Sequence, residues 1–155
     1  MKKTNAARIL DRHQQSYEIC TYTVNENDLS VAHVAEHIGV PGNQLFKTLV
    51  TLNEKNAPII AVVAGDKELN LKALATAAEC KKCTMLPMKG LLKITGYIRG
   101  GCSPLGMKKQ YPTFIDASIL DHEKIYVSAG VRGKQLKLSP QVLIKVLGAK
   151  VTILK

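Results

Sequence analysis

The residues with the most chemical potential sit in one short stretch, Gly100-Gly101-Cys102-Ser103-Pro104-Leu105-Gly106. Three glycines and a proline so close together preclude a regular helix or strand. Adjacent glycines permit positive φ and let a ligand approach the main chain. Their N–H groups can hold an anion or a polarised carbonyl oxygen. Ser103 adds a hydroxyl, Cys102 a thiol, and Pro104 stiffens the exit. An ordinary structural turn uses the same residue types. A second candidate is Lys47, set in the apolar run Leu45-Phe46-Lys47-Thr48-Leu49-Val50. Strand alternation puts Leu45, Lys47 and Leu49 on one face. Such a lysine either guards an exposed strand edge or aims a cation into a pocket, where it suits a phosphate or a carbonyl oxygen. The third is Ile125-Tyr126-Val127-Ser128-Ala129-Gly130-Val131-Arg132-Gly133. Here a strand runs into Gly130 and Gly133 with Arg132 between them, which fits phosphate binding or a polar hairpin end.

Other pairings are weaker. Cys80-Lys81-Lys82-Cys83 has C-x-x-C spacing. A redox pair needs its first thiolate at a helix N-terminus, whereas this one follows a helix. Zinc needs two further ligands that the spacing does not supply. His33 and His37 lie one helical turn apart, but Glu36 does not complete H-E-x-x-H. Cys102 has no base nearby in sequence to activate it. No metal and no cofactor is expected.

The elements that must position these residues can be read from capping and periodicity. Ala6, Ile9, Leu10 and His13 recur at helical spacing. Residues 17–23 alternate as a strand, with Glu18, Cys20 and Tyr22 sharing one face. Ser30 caps a helix bearing Val31, Val34, Ala35 and Ile38, and Gly39 ends it. Residues 44–52 and 58–64 form a hairpin about a polar turn. Asn70 caps a helix over 71–78. A short strand over 83–86 and a helical turn over 87–93 follow. Residues 114–116 and 124–128 are strands. Ser139, Pro140 and Gly148 bound the last helix, and residues 150–154 form a closing strand. One α/β domain of the α+β type over residues 1–155 is expected, its sheet mixed and largely antiparallel rather than doubly wound.

The net charge is +10, from 22 Lys and Arg against 12 Asp and Glu. A surplus this large attracts polyanions. The basic residues, among them Lys2, Lys3, Lys81, Lys82, Lys108, Lys109, Lys134, Lys137 and Lys145, are scattered. A nucleic-acid site is therefore expected as a patch on a folded surface. No apolar run reaches the length of about 20 residues that spans a bilayer. No apolar stretch follows the basic N-terminus, so no secretory signal is expected. The expectation is a cytoplasmic protein with no membrane association and four reduced cysteines.

Taken in order, Phe46-Lys47-Thr48-Leu49, Thr95-Gly96-Tyr97, the segment from Gly100 to Gly106, and Ile125 to Gly133 resemble the motifs of the YbaK/EbsC family. These are free-standing Cys-tRNA(Pro) deacylases, related to the editing domain of bacterial prolyl-tRNA synthetase. The resemblance runs from about residue 4 to residue 153. It implies a compact barrel-like sheet flanked by helices and a pocket for the aminoacyl end of tRNA. It implies catalytic roles for Lys47, Gly100, Gly101 and Ser103. It implies a substrate site made of Tyr22, Lys47, Thr48, Gly100, Gly101, Cys102, Ser103, Pro104, Ser128, Gly130 and Arg132. Two positions depart from it: Gln135 stands where relatives carry an acidic residue, and Cys102 where an aliphatic one is common. In this family the substrate's own thiol attacks its ester carbonyl, releasing tRNA and a cyclic thiolactone, so the protein needs no nucleophile. The implied partners are tRNA and prolyl-tRNA synthetase. Removal of another residue, such as alanine, non-catalytic tRNA binding, and thiol redox chemistry are the alternative readings.

Overall fold

Helix boundaries follow from local chemistry. The computed structural model describes residues 3–155; Met1 and Lys2 of the basic N-terminal stretch lie outside the described residues. Helix α1 (Asn5–Arg12) is capped by Thr4, whose hydroxyl accepts the Ala7 N–H at 3.2 Å. Ser30 caps α2 (Val31–Ile38) and Gly39 ends it at φ 85°. Asn70 caps α3 (Leu71–Ala77). Helix α4 (Leu91–Thr95) is a short extension of a 3-10 turn. Ser139, with Pro140 in the first turn, opens α5 (Pro140–Leu147), and Gly148 closes it at φ 59°. Each cap satisfies backbone groups that the helix leaves unpaired.

The strands are β1 (Glu18–Thr21), β2 (Phe46–Asn53), β3 (Pro58–Ala64), β4 (Cys83–Met85), β5 (Thr113–Asp116), β6 (Ile125–Ser128), β7 (Lys134–Leu138) and β8 (Lys150–Thr152). Strand β7 is the one the sequence reading left unassigned. The other predicted strands are present, and the β2–β3 hairpin pairs in register from Phe46 opposite Ala64 to Leu52 opposite Pro58. The class is mixed α+β. The strands divide into a five-stranded sheet in the order β4-β2-β3-β5-β8 and a three-stranded antiparallel sheet in the order β1-β7-β6. Within the larger sheet, β3–β5 and β5–β8 are parallel and the other pairs antiparallel. A parallel bridge from Leu45 to Tyr126 joins the two sheets. No helix among the described residues is long and apolar enough to cross a membrane.

Alternation along β3 explains the two-sided core. Ile59, Ala61 and Val63 pack with Leu74 and Ala75 of α3. Val62 and Ala64 face the other way, toward Val127, Leu136 and Leu138 of the small sheet and Leu10 and Leu143 of α1 and α5. A third cluster, Val34, Ala35, Leu45 and Tyr126, fills the seam under α2, with Cys20 and Tyr22 of the β1 segment against it. The inward face of β1 is therefore the Cys20–Tyr22 face, and Ile19 is left exposed.

Candidate active site

The seam between the sheets holds a cleft of about 140 Å3. Lys47, Thr48, Gly100, Cys102 and Ser128 line it, together with Gln135 and an apolar wall that includes Leu29, Val31 and Val34. Lys47 and Thr48 are neighbours on one strand and point to opposite faces. Both reach the cleft because β2 has β3 on one side only at this end. Strand β4 pairs with β2 from Thr51 onward, and Leu45 touches β6 through a single bridge. The edge that lets Lys47 be a gatekeeper thus also makes it a wall of the cleft. Its Nζ lies 3.5 Å from the Gly65 carbonyl, a long contact, and forms no ion pair among the described residues.

Two polar atoms in this cleft stand out. The Thr48 hydroxyl oxygen and the Gln135 side-chain carbonyl oxygen are buried and have no hydrogen-bond partner among the described residues. Leaving a buried polar group unpaired costs about 1–3 kcal/mol, so each of these atoms calls for a partner, which water or a ligand can supply. Gln135 sits on β7 opposite Ser128 of β6 and Cys20 of β1. In the sequence Gln135 stands out only as a departure from relatives. Its signal was the alternation of Gln135 and Lys137 with the core residues Leu136 and Leu138, which identifies a strand with one face toward the seam.

The remaining candidates support the cleft from behind. The Gly101 N–H donates to the Ile98 carbonyl at 2.9 Å. A Cβ on Gly101 would lie 3.2 Å from the Arg132 nitrogen and from the Val131 Cα and carbonyl carbon. A side chain there would press the two backbones apart by a few tenths of an ångström, so glycine suits their close approach. The N–H groups of Gly100 and Cys102 donate to no protein acceptor among the described residues, which leaves them as the donors available to a ligand. Ser103 is fully buried, and its hydroxyl accepts the Leu105 N–H at 3.2 Å. It closes the turn and does not line the cleft, so the catalytic role the resemblance implied for it has no geometric support. Gly130 has φ 101°, and a Cβ there would lie 2.9 Å from the Tyr97 ring. The Tyr97 hydroxyl donates to the Leu105 carbonyl and pins the loop. Arg132 donates from Nε to the Arg99 carbonyl at 2.8 Å, with Nη1 4.0 Å from Glu26 Oε1. It braces the glycine loop at its entry. Pro104 is buried and walls a different cavity. Tyr22 packs in the adjoining seam cluster, its N–H bonded to the Gly133 carbonyl at 2.9 Å.

Gly101→Ala is therefore expected to destabilise the protein by about 1–3 kcal/mol, the usual cost of forcing atoms into a packed site. A melting temperature unchanged from wild type would show that the 131–132 segment yields to a methyl group without cost.

No thiol here is primed as a nucleophile. Burial pushes the Cys102 thiol up to about 11, against a smaller lowering from its bond with the Thr95 hydroxyl. No histidine lines the cleft. Cys80 and Cys83 have sulfurs 3.6 Å apart. They belong to the α3 side of the large sheet. Burial first, then the bond to Cys80, raises the Cys83 thiol to about 11. His33 and His37 lie against each other on α2, ring centroids 4.1 Å apart and planes tilted by 44°, and neither lines the cleft.

The family model described as an aminoacyl-tRNA editing domain matches residues 25–146, a span that contains every residue of the cleft. This chain belongs to the aminoacyl-tRNA editing domain family. Among its relatives is EbsC of Enterococcus faecalis, named as a candidate Cys-tRNA(Pro)/Cys-tRNA(Cys) deacylase. It is 46% identical over 143 residues, covering 92% of this chain and 87% of that one. A proline--tRNA ligase of Citrifermentans bemidjiense is 28% identical over 108 residues, 70% of this chain but 19% of the ligase. The editing domain here thus corresponds to one part of that larger enzyme. The crystal structure of the hypothetical protein APE2540 has the same fold, with a TM-score of 0.88 and 23% identity over 97% of this chain and 98% of that one.

Proposed function

We propose that this editing domain is a trans-editing deacylase that hydrolyses Cys-tRNA(Pro) with help from the substrate's own thiol. One observation carries the reading: the cleft offers an ammonium and two unpaired buried polar atoms, but no activated nucleophile. Its volume of about 140 Å3 is below the roughly 300–1,000 Å3 of drug-sized pockets. That suits a small aminoacyl group such as cysteinyl or alanyl.

In the reaction, the substrate sulfur forms a bond to its own ester carbonyl carbon. The bond from that carbon to the ribose oxygen breaks. The thiol proton ends on the ribose oxygen, giving free tRNA and a cyclic thiolactone that water opens. A cysteine thiol near its ordinary pKa of about 8.5 is about 3% ionised at pH 7. A thiol at about 11, such as Cys102, is ionised some three hundredfold less. In this reading Lys47 and the N–H groups of Gly100 and Cys102 hold the carbonyl oxygen as it gains charge. The Gln135 oxygen accepts from the substrate's α-ammonium, and the Thr48 hydroxyl fixes the ribose or the carbonyl. A cleft of this size reads the aminoacyl group and cannot also read an anticodon. Prolyl-tRNA synthetase is accordingly the proposed partner that supplies tRNA selection.

Charging tRNA(Pro) with Cys, Ala or Pro and measuring release of free tRNA tests this reading. Cys-tRNA(Pro) is expected to be the fastest and Pro-tRNA(Pro) the slowest. Tight tRNA binding without release from any of the three would leave a binding module instead. Binding itself is expected to weaken with salt, the logarithmic slope being about −0.7 to −0.9 per phosphate contacted. A flat response in an anisotropy titration would remove the basic surface from the account.

A further inference from the structure

A cavity larger than this cleft lies elsewhere in the molecule. A hollow of about 410 Å3 opens between the end of α1, the segment 104–113 and the end of α5. Ile9, Met107, Val146 and Leu147 give it an apolar floor, and Arg12, His13 and Lys109 stand at its rim. None of its lining residues is Asp or Glu. Arg12 and Lys109 are exposed and form no ion pair among the described residues. The nearest carboxylate in sequence, Asp11, is engaged elsewhere: it accepts from Lys3 at 2.6 Å and from the Tyr17 hydroxyl at 2.9 Å. The His13 ring contacts the Ile9 carbonyl through Nδ1 at 2.9 Å, which leaves Nε2 for a ligand.

An apolar slot edged by two unneutralised cations and a histidine selects a ligand that is flat and apolar on one side and anionic on the other. A nucleoside phosphate has that form: the base lies on aliphatic side chains, and the phosphate meets a guanidinium or ammonium group. The volume suits a single nucleotide. The position is equally telling. Pro104, Leu105 and Gly106 wall this hollow, while Gly100 and Cys102 of the same loop line the first cleft. One loop borders both cavities.

We propose that the second cavity seats one nucleotide of the tRNA acceptor end, its base against Met107, Val146 and Leu147 and its phosphate at Arg12 and Lys109. The inference rests on the deacylase reading for its choice of RNA, but its test does not require catalysis. The double variant Arg12→Ala/Lys109→Ala is compared with Lys81→Ala/Lys82→Ala, which removes the same charge elsewhere on the surface. Affinity for uncharged tRNA is read by fluorescence anisotropy across a salt series. The first variant is expected to bind about tenfold more weakly and to lose about one unit of salt slope, the signature of one released phosphate contact. The second variant is expected to lose less than threefold. In the deacylation assay the first variant should raise KM and leave kcat unchanged. Equal losses in the two variants, or none in the first, would overturn the proposal and leave only a diffuse basic surface. Adenosine 5′-monophosphate serves as the second probe, observed by NMR at the methyl groups of Val146 and Leu147. Weak binding displaced by tRNA supports the proposal. Binding that persists at saturating tRNA would make this a free-nucleotide site and overturn it. Absence of deacylation with the tenfold effect on tRNA binding intact would sink the deacylase reading alone.

Discussion

Ser-tRNA(Pro) is expected to be deacylated at least about a thousandfold more slowly than Cys-tRNA(Pro). The two substrates differ by one atom, sulfur against oxygen, and fill nearly the same volume in a cleft of about 140 Å3. Binding should therefore change little, and the difference should appear in kcat. A thiol and a carbonyl held in one small site react with the advantage of an intramolecular step, worth up to about 7–11 kcal/mol. A thousandfold loss is about 4 kcal/mol and uses only part of it. A serine hydroxyl at neutral pH is almost wholly protonated and cannot exploit the same placement. Single-turnover kinetics on the two charged tRNAs, at enzyme concentrations above KM, isolate this effect. Comparable rates would show that water or an enzyme group attacks the ester, with the substrate side chain a bystander.

Lys47→Ala is expected to lower kcat/KM between about tenfold and a hundredfold, since a charged hydrogen bond in a pocket is worth roughly 1.5–3 kcal/mol. The thermal midpoint should move little. The side chain pairs with no carboxylate among the described residues, and its one contact, with the Gly65 carbonyl, is 3.5 Å long. An edge guard predicts the opposite pattern: activity kept, and aggregation or strand mispairing increased. Measuring turnover and the monomer fraction in the same preparation separates the two. Lys47→Arg keeps the charge but enlarges the head group in a small cleft, so only partial rescue is expected.

The helices were legible because their signals are local. Ser30, Asn70 and Ser139 each accept the amide three residues on, as their sequence positions implied. The β2–β3 hairpin was legible for the same reason, its turn and both strands being adjacent in the chain. Strand β7 was not. It pairs locally with β6 and, more than a hundred residues back, with β1, but two lysines and a glutamine obscure its apolar face. Missing β7 also hid Gln135 as a cleft residue. The division into two sheets depends on contacts distant in sequence and could not be read locally.

The glycine-rich segment shows a different limit. Its composition correctly marked a loop where backbones come close, but composition cannot say which backbone. Gly101 needs its missing side chain for the 131–132 segment and Gly130 for the Tyr97 ring, whereas Gly100 itself lines the cleft. Ser103 likewise carries a reactive group type at a suggestive position, yet its hydroxyl is used within the turn. Residue type narrowed the candidate site to loops that border the cleft. Burial and hydrogen bonding then separated the residues that face a ligand from those that shape the wall.

The most direct test of the account removes every thiol the protein owns. Cys20, Cys80, Cys83 and Cys102 are replaced together by serine or alanine, a thermal melt verifies the fold, and release of tRNA from Cys-tRNA(Pro) is measured. With the substrate's sulfur as the attacking group, kcat should stay within about threefold of wild type, any cost falling on the stability of the buried Cys83 site. A folded, cysteine-free protein that no longer releases tRNA would contradict the account and place the nucleophile on the enzyme.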